Sequence, residues 1–138
     1  MKTFGHLYLL SAFYSVASDP AAGAIGTVNL GVTLPPNSQP WAFNVICKSS
    51  LTSAANTATL SFGTLQTGVS SPTALPTLLM AANIVTTFGV NVPEVGNGLF
   101  GNNSRYDVQG RAITMTIAVQ QLTGGSFVCN IWYLKNNL

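Results

Sequence analysis

Catalysis by side chains needs titratable and nucleophilic groups, and this sequence holds few. Its histidine is His6, its acids are Asp19, Glu94 and Asp107, and its thiols are Cys47 and Cys129. His6, an acid and one of the many serines would supply the parts of a hydrolytic triad, which is recognised by geometry and not by chain order. No G-x-S-x-G stretch is present to hold a serine on the strained turn that such chemistry uses. Glu94 and Asp107 are the nearest acids in sequence for glycoside hydrolysis, which needs two carboxyl groups across a cleft. Two thiols and one histidine are too few for a structural zinc site. No glycine-rich phosphate loop or metal-ligand spacing occurs. The expectation is a protein that is not an enzyme, with no catalytic residue, no cofactor and no bound metal.

The densest charge is Arg105, Asp107 and Arg111. Two roles are open to it. As an exposed loop salt bridge it contributes about 0–1 kcal/mol. As a docking cluster it presents guanidinium forks, which give directional contacts to a neighbouring subunit. Leu99 and Phe100 lie just before it, so Leu99, Phe100, Arg105, Asp107 and Arg111 are the candidate subunit contacts. Asn102-Asn103-Ser104 matches a glycosylation sequon, but a three-residue pattern is common and reads better as a polar turn.

The positioning elements must come from an unusual composition. Of 138 residues, 47% are hydrophobic but only 6% are charged, against about 25% charged in an ordinary soluble domain. So few charges protect a lone monomer poorly against association, which predicts a surface covered by neighbours. The net charge of +2 comes from five basic and three acidic residues. Lys2, Lys48, Arg105, Arg111 and Lys135 are scattered, so they form no phosphate-binding stripe, and no nucleic-acid partner is expected. The length suits one domain over residues 1–138. The cysteines lie in apolar segments, as two buried thiols or as one disulfide; both pairings stay open.

"HLYLLSAFYSVASDP", residues 6–20, follows Met1 and Lys2 closely. A positive start, an apolar core and Val16-Ala17-Ser18 resemble an export signal. Three aromatics and two serines roughen that core, and it falls short of the roughly 20 residues of a membrane helix. A short helix is the third option. The expectation is a first strand, no membrane span and no signal cleavage. A turn-rich stretch through Pro20 and Gly23 follows, and then Val28, Leu30, Val32 and Leu34 alternate with small or polar residues. Period-two alternation marks a strand with one buried face, and the two segments are expected to form a hairpin.

Trp41, Phe43, Val45 and Cys47 are predicted on one face of the next strand, with Pro35, Pro36 and Pro40 fencing its start. The Ser/Asn-rich run from Ser49 to Asn56 reads as a loop, and "TATLSF" as a strand with Leu60 and Phe62 in phase. "PTALPTLLMAAN" predicts one short helix near 75–83, with Pro76 in its first turn. Residues 84–104 read as a long ordered loop, of the kind that carries contacts on a rigid scaffold. Ile113, Met115, Ile117 and Val119 share a face, as do Phe127, Cys129, Ile131 and Tyr133. A three-residue loop, Thr123-Gly124-Gly125, would pair Val119 with Cys129 and Ile117 with Ile131, keeping one face apolar. These segments predict an all-β antiparallel sandwich of jelly-roll type.

Three stretches, "AIGTVNLGVTLPPNS", "SSLTSAANTATLSFGT" and "RAITMTIAVQQLTGGSFVCNIWYL", together resemble small bacteriophage virion proteins of the capsid decoration, cement or head-fibre type. The likeness spans about residues 9–134, and residues 84–104 fit it least. It implies a structural virion protein that is capsid-associated, as a decoration, cement or minor capsid subunit. The implied partners are other capsid proteins and further copies of this chain, in a trimer or pentamer, and the implied location is the virion. An alternative is a spike or fibre module recognising a host glycan or receptor. Exposed Trp41, Trp132 or Tyr106 beside asparagines would favour that role.

Overall fold

The alternation read along the chain becomes eight strands. The computed structural model describes residues 6–96 and 108–135. The strands are β1 Leu7–Ser15, β2 Gly26–Leu34, β3 Ser38–Ser53, β4 Thr59–Gln66, β5 Ala74–Ile84, β6 Pro93–Val95, β7 Arg111–Ala118 and β8 Leu122–Lys135. They build two four-stranded antiparallel sheets, ordered β1-β8-β3-β6 and β2-β7-β4-β5. The all-β sandwich is as the alternation predicts. Among the described residues there is no α-helix; Val16–Ser18 and Val85–Thr87 are short 3-10 turns. No helix among those residues is long and apolar enough to cross a membrane.

The core forms where the two sheets face each other. Phe43, Val45 and Cys47 from β3 and Phe127, Cys129 and Ile131 from β8 point inward from the first sheet. Leu60 and Phe62 from β4 and Ile113, Met115 and Ile117 from β7 meet them from the second. Phe62 is the pivot. Its ring stands edge-on to Phe127 at 5.5 Å between centroids and tilted to Phe43 at 5.2 Å, arrangements that favour aromatic pairs beyond simple burial. Both cysteines are buried free thiols.

Five sequence expectations change. The β7–β8 hairpin is not one, because β7 pairs with β2 and β4, while β8 pairs with β1 and β3. The two apolar faces meet across the core instead of lying side by side, and residues 119–121 carry the chain between layers. Val119 turns that corner at φ +71 and is exposed. Gly124 and Gly125 belong to β8, where a register shift sets Thr52 opposite Gly124. A side chain on Gly125 would lie 2.6 Å from the Ser50 carbonyl oxygen, and its φ is +113, so glycine lets β3 and β8 close at the bulge.

The helix near 75–83 is strand β5. Leu79 and Met80 are consecutive and both buried, which imitates a helical face. The cause is an irregular edge: Thr64 pairs with Leu75 and Phe62 with Met80, so β5 bulges outward between them. Gly63 makes room for this, since the backbone at Leu75 and Pro76 occupies the space a β-carbon would need.

The Ser-rich loop after Lys48 is in fact the end of β3. Its hydroxyls pair across the sheet, Ser49 Oγ with Ser126 Oγ at 2.8 Å and Thr52 Oγ1 with Thr123 Oγ1 at 3.0 Å. Polar side chains that bond across strands suit a ladder as well as a turn. The turn comes later, where Asn56 adopts φ +54 and its Oδ1 accepts from the Ser53 amide at 3.2 Å.

The β1–β2 hairpin likewise separates, as β1 pairs with β8 and β2 with β7. The Pro/Gly stretch between them changes sheets. Asp19 organises it, accepting from Tyr14 Oη at 2.7 Å, the Ala21 amide at 2.9 Å and the Gly23 amide at 3.0 Å. Trp41 also leaves its expected face, because the register slips between Pro40 and Ala42.

Candidate functional site

Among the described residues, Asp19 and both cysteines are held in structural roles. Asp19 is bound into its own turn, and the Tyr14 hydrogen bond holds its carboxyl below the usual carboxylate range. Burial pushes the Cys47 thiol up to about 11 and the Cys129 thiol up to about 12, so neither is a ready nucleophile at neutral pH. His6 packs edge-on to Tyr8 at 6.4 Å. Glu94 sits on β6 opposite Val45. Among the described residues no three His, Cys, Asp or Glu side chains gather as metal ligands would. A shallow groove of about 160 Å³ lies where the end of β1 passes β2, lined by Phe13, Tyr14, Asp19, Val28 and Leu30 among others.

Arg111 opens β7 and is buried. Its Nε donates to Thr64 Oγ1 at 2.7 Å and a terminal nitrogen donates to the Thr73 carbonyl at 3.0 Å, tying β7 to β4 and to the segment entering β5. It makes further interactions besides. Leu99, Phe100, Arg105 and Asp107, named with it as subunit contacts, lie outside the described residues, as does Tyr106.

The outer faces of the two sheets differ in kind. On the first sheet, cross-strand register builds three rows. Leu9, Trp132 and Ala42 form one; Ser11, Asn130, Asn44 and Val95 form the next; Phe13, Val128, Ile46 and Pro93 form the third. None of these side chains is charged. Leu9 is 53% exposed, Phe13 62% and Val95 68%. The middle row is a polar ladder between two apolar ones. Ser11 Oγ donates to Asn130 Oδ1 at 2.7 Å, and Asn130 Nδ2 donates to Asn44 Oδ1 at 3.0 Å.

The second sheet shows small hydroxyl-bearing side chains instead. Thr27, Thr116 and Ser61 make one row, and Asn29, Thr114 and Gly63 another. Thr27 and Thr116 share a hydrogen bond at 3.2 Å. Thr27 and Asn29 are exposed at one edge of this face, but Ser61 and Thr114 are buried and the backbone at Leu75 and Pro76 lies over Gly63. The first sheet's face carries aromatics and aliphatics in a contiguous patch, of the kind that marks an interaction surface. Sequence reasoning looked for contacts in charged and loop residues and missed this face. The signal was present in "LYLLSAFYS", whose apolar residues fill both faces of a strand and not one.

No family model matches the sequence, and no curated protein does. Solved structures do match. A chain in the capsid of Ralstonia phage GP4 superposes with a TM-score of 0.73 at 18% identity, covering 100% of this chain and 90% of that one. A chain in the acid-stable capsid of the Helicobacter pylori bacteriophage KHP30 superposes with a TM-score of 0.63 at 11% identity, covering 96% of this chain and 90% of that one. The sandwich is a fold found in phage capsids. The likeness covers this chain from end to end in the first comparison and nearly so in the second, and at these identities it is a likeness of fold.

Proposed function

We propose that this chain is a structural virion protein of a phage, a capsid-associated subunit of the decoration, cement or minor capsid kind, and not an enzyme. The observation that carries this is the near-complete superposition on chains from two phage capsids. The three uncharged rows on the outer face of the first sheet support it. The mechanism is burial: each Å² of apolar surface removed from water contributes about 25 cal/mol, and these three rows bring no ions to desolvate. Neighbours are other capsid proteins and further copies of this chain, with rings of three or five as the expected symmetry. The segment 91–105, with Leu99, Phe100, Arg105 and Asp107, joins the contact, and Arg111 anchors its return into β7.

The test is particle composition. Density-gradient-purified particles should contain the chain at a fixed ratio to the major shell protein. Particles that lack it would overturn the proposal. Truncating Leu99 and Phe100 to Ala should lower that ratio while the fold is retained.

A second function has one observation in its favour. Trp41 is exposed, and Trp132, only partly buried, borders the Asn130–Asn44 amide pair. Aromatic faces and amides together suit sugar rings and their hydroxyls. Saturable binding to a glycan array, lost in Trp132→Ala, would establish a host-recognition module instead.

A further inference from the structure

A sheet edge presents unpaired N–H and C=O groups that can template another strand, and proteins normally guard such edges with proline, charge, bulges or brevity. The four edges here are unequal. Strand β2 breaks register between Asn29 and Thr33, with Gly31 at φ +82. Strand β5 carries Pro76 and bulges. Strand β6 is three residues long and begins with Pro93. Strand β1 has no such guard. Its nine residues contain no proline, glycine or charge, and they pair with β8 from Leu7–Leu134 to Ser15–Ser126 without a shift. Among the described residues no strand pairs with its other edge. Strand β2 passes beneath this end of β1 in the other layer, across the groove.

We propose that β1 is a homotypic assembly edge: it pairs antiparallel with β1 of a second copy of this chain about a two-fold axis at Ser11. The choice of occupant follows from self-complementarity, which a two-fold contact requires. In that register Ser11 faces its own counterpart, so the polar row Asn44–Asn130–Ser11 continues unbroken into the second copy. Leu9 faces Phe13 of the second copy, and Phe13 faces Leu9, so apolar rows meet apolar rows on both sides. On the inner side Tyr8 faces Tyr14 and Leu10 faces Ala12. A two-fold axis sets identical charges against each other, and β1 has none to repel. The two first sheets then join into one eight-stranded sheet, and their outer faces into one surface. Such a contact yields a dimer or couples two rings, so the copy number is even. This goes beyond the capsid proposal and does not depend on it.

The test is native mass spectrometry with sedimentation velocity on the isolated chain at micromolar concentration. The wild type should show an even copy number. Leu9→Lys with Phe13→Lys, and separately Leu9→Glu with Phe13→Glu, should each halve the mass. Both positions are more than half exposed, so the fold is retained. Mixing the two variants should restore the full mass, because Lys then faces Glu. As an independent variant, Ser11→Cys should give a covalent dimer on mild oxidation. A monomeric or odd-numbered wild type, charged variants at full mass, or a mixture that stays at half mass would each overturn the proposal. Particle composition is measured separately, so either proposal can fail while the other stands.

Discussion

Asn130 Nδ2 donates to Asn44 Oδ1 at 3.0 Å, across β8 and β3, in a polar row between two apolar rows of the outer face. The same Asn130 accepts from Ser11 through Oδ1 at 2.7 Å, so one amide fixes three strands. Replacing Asn130 with Asp keeps the acceptor and removes the donor, leaving two acceptors facing each other. The expected cost is about 1–2 kcal/mol, read as a lower urea midpoint with an unchanged m-value.

Phe62 touches Phe127 and Phe43, one from each inward-facing strand of the opposite sheet. Phe62→Ala should therefore loosen the sheets from each other. The expected loss is about 3–5 kcal/mol, a large share of the stability of a small protein. Leu65, half-buried on the outer face of the same strand, offers the control: Leu65→Ala should cost clearly less in the same unfolding experiment.

Cys47 and Cys129 titrate late because burial disfavours their thiolates. Unfolded thiols ionise near about pH 8.5. The folded chain thus holds its thiol protons while the unfolded chain gives them up, and stability falls as pH rises above that value. Chemical denaturation at pH 7, 9 and 10 should show this decline, and Cys47→Ala with Cys129→Ala should flatten it. In the native state at pH 7 both thiols should resist a maleimide and react only after denaturant is added.

Asp19 runs the other way. Its carboxyl is held low chiefly by Tyr14, so the contribution is present above the ordinary carboxylate pKa of about 3.9 and is lost as pH falls below it. Asp19→Asn should remove this acid sensitivity. It should also open the turn at Ala21 and Gly23, seen as faster amide exchange at those two residues.

Much of the sandwich was legible in the sequence because alternation reports a buried face directly. Ile113, Met115 and Ile117, and Phe127, Cys129 and Ile131, all point inward as their spacing predicts. Partners were harder to read. Two apolar strands joined by a short link can pair edge to edge or face each other across a core, and both arrangements bury the same residues. Gly124-Gly125 suggested the first, but those glycines serve a bulge. The 75–83 segment misled because a bulged edge strand buries neighbouring residues, as a helix does. The outer face of the first sheet was hidden for a related reason. Leu9, Trp132 and Ala42 lie far apart in the chain, and only register makes them one row.

The central claim is that this sandwich seats in a phage capsid through the outer face of its first sheet. The most direct measurement compares two single substitutions in a particle-incorporation assay. Val95→Lys places a charge on that face, where Val95 is 68% exposed and opposite Asn44. Thr33→Lys places the same charge on the outer face of the second sheet, opposite Ala112. The account predicts that Val95→Lys lowers co-sedimentation with particles at least tenfold and that Thr33→Lys leaves it within twofold of wild type. Equal incorporation of both variants, or loss with Thr33→Lys alone, would contradict it.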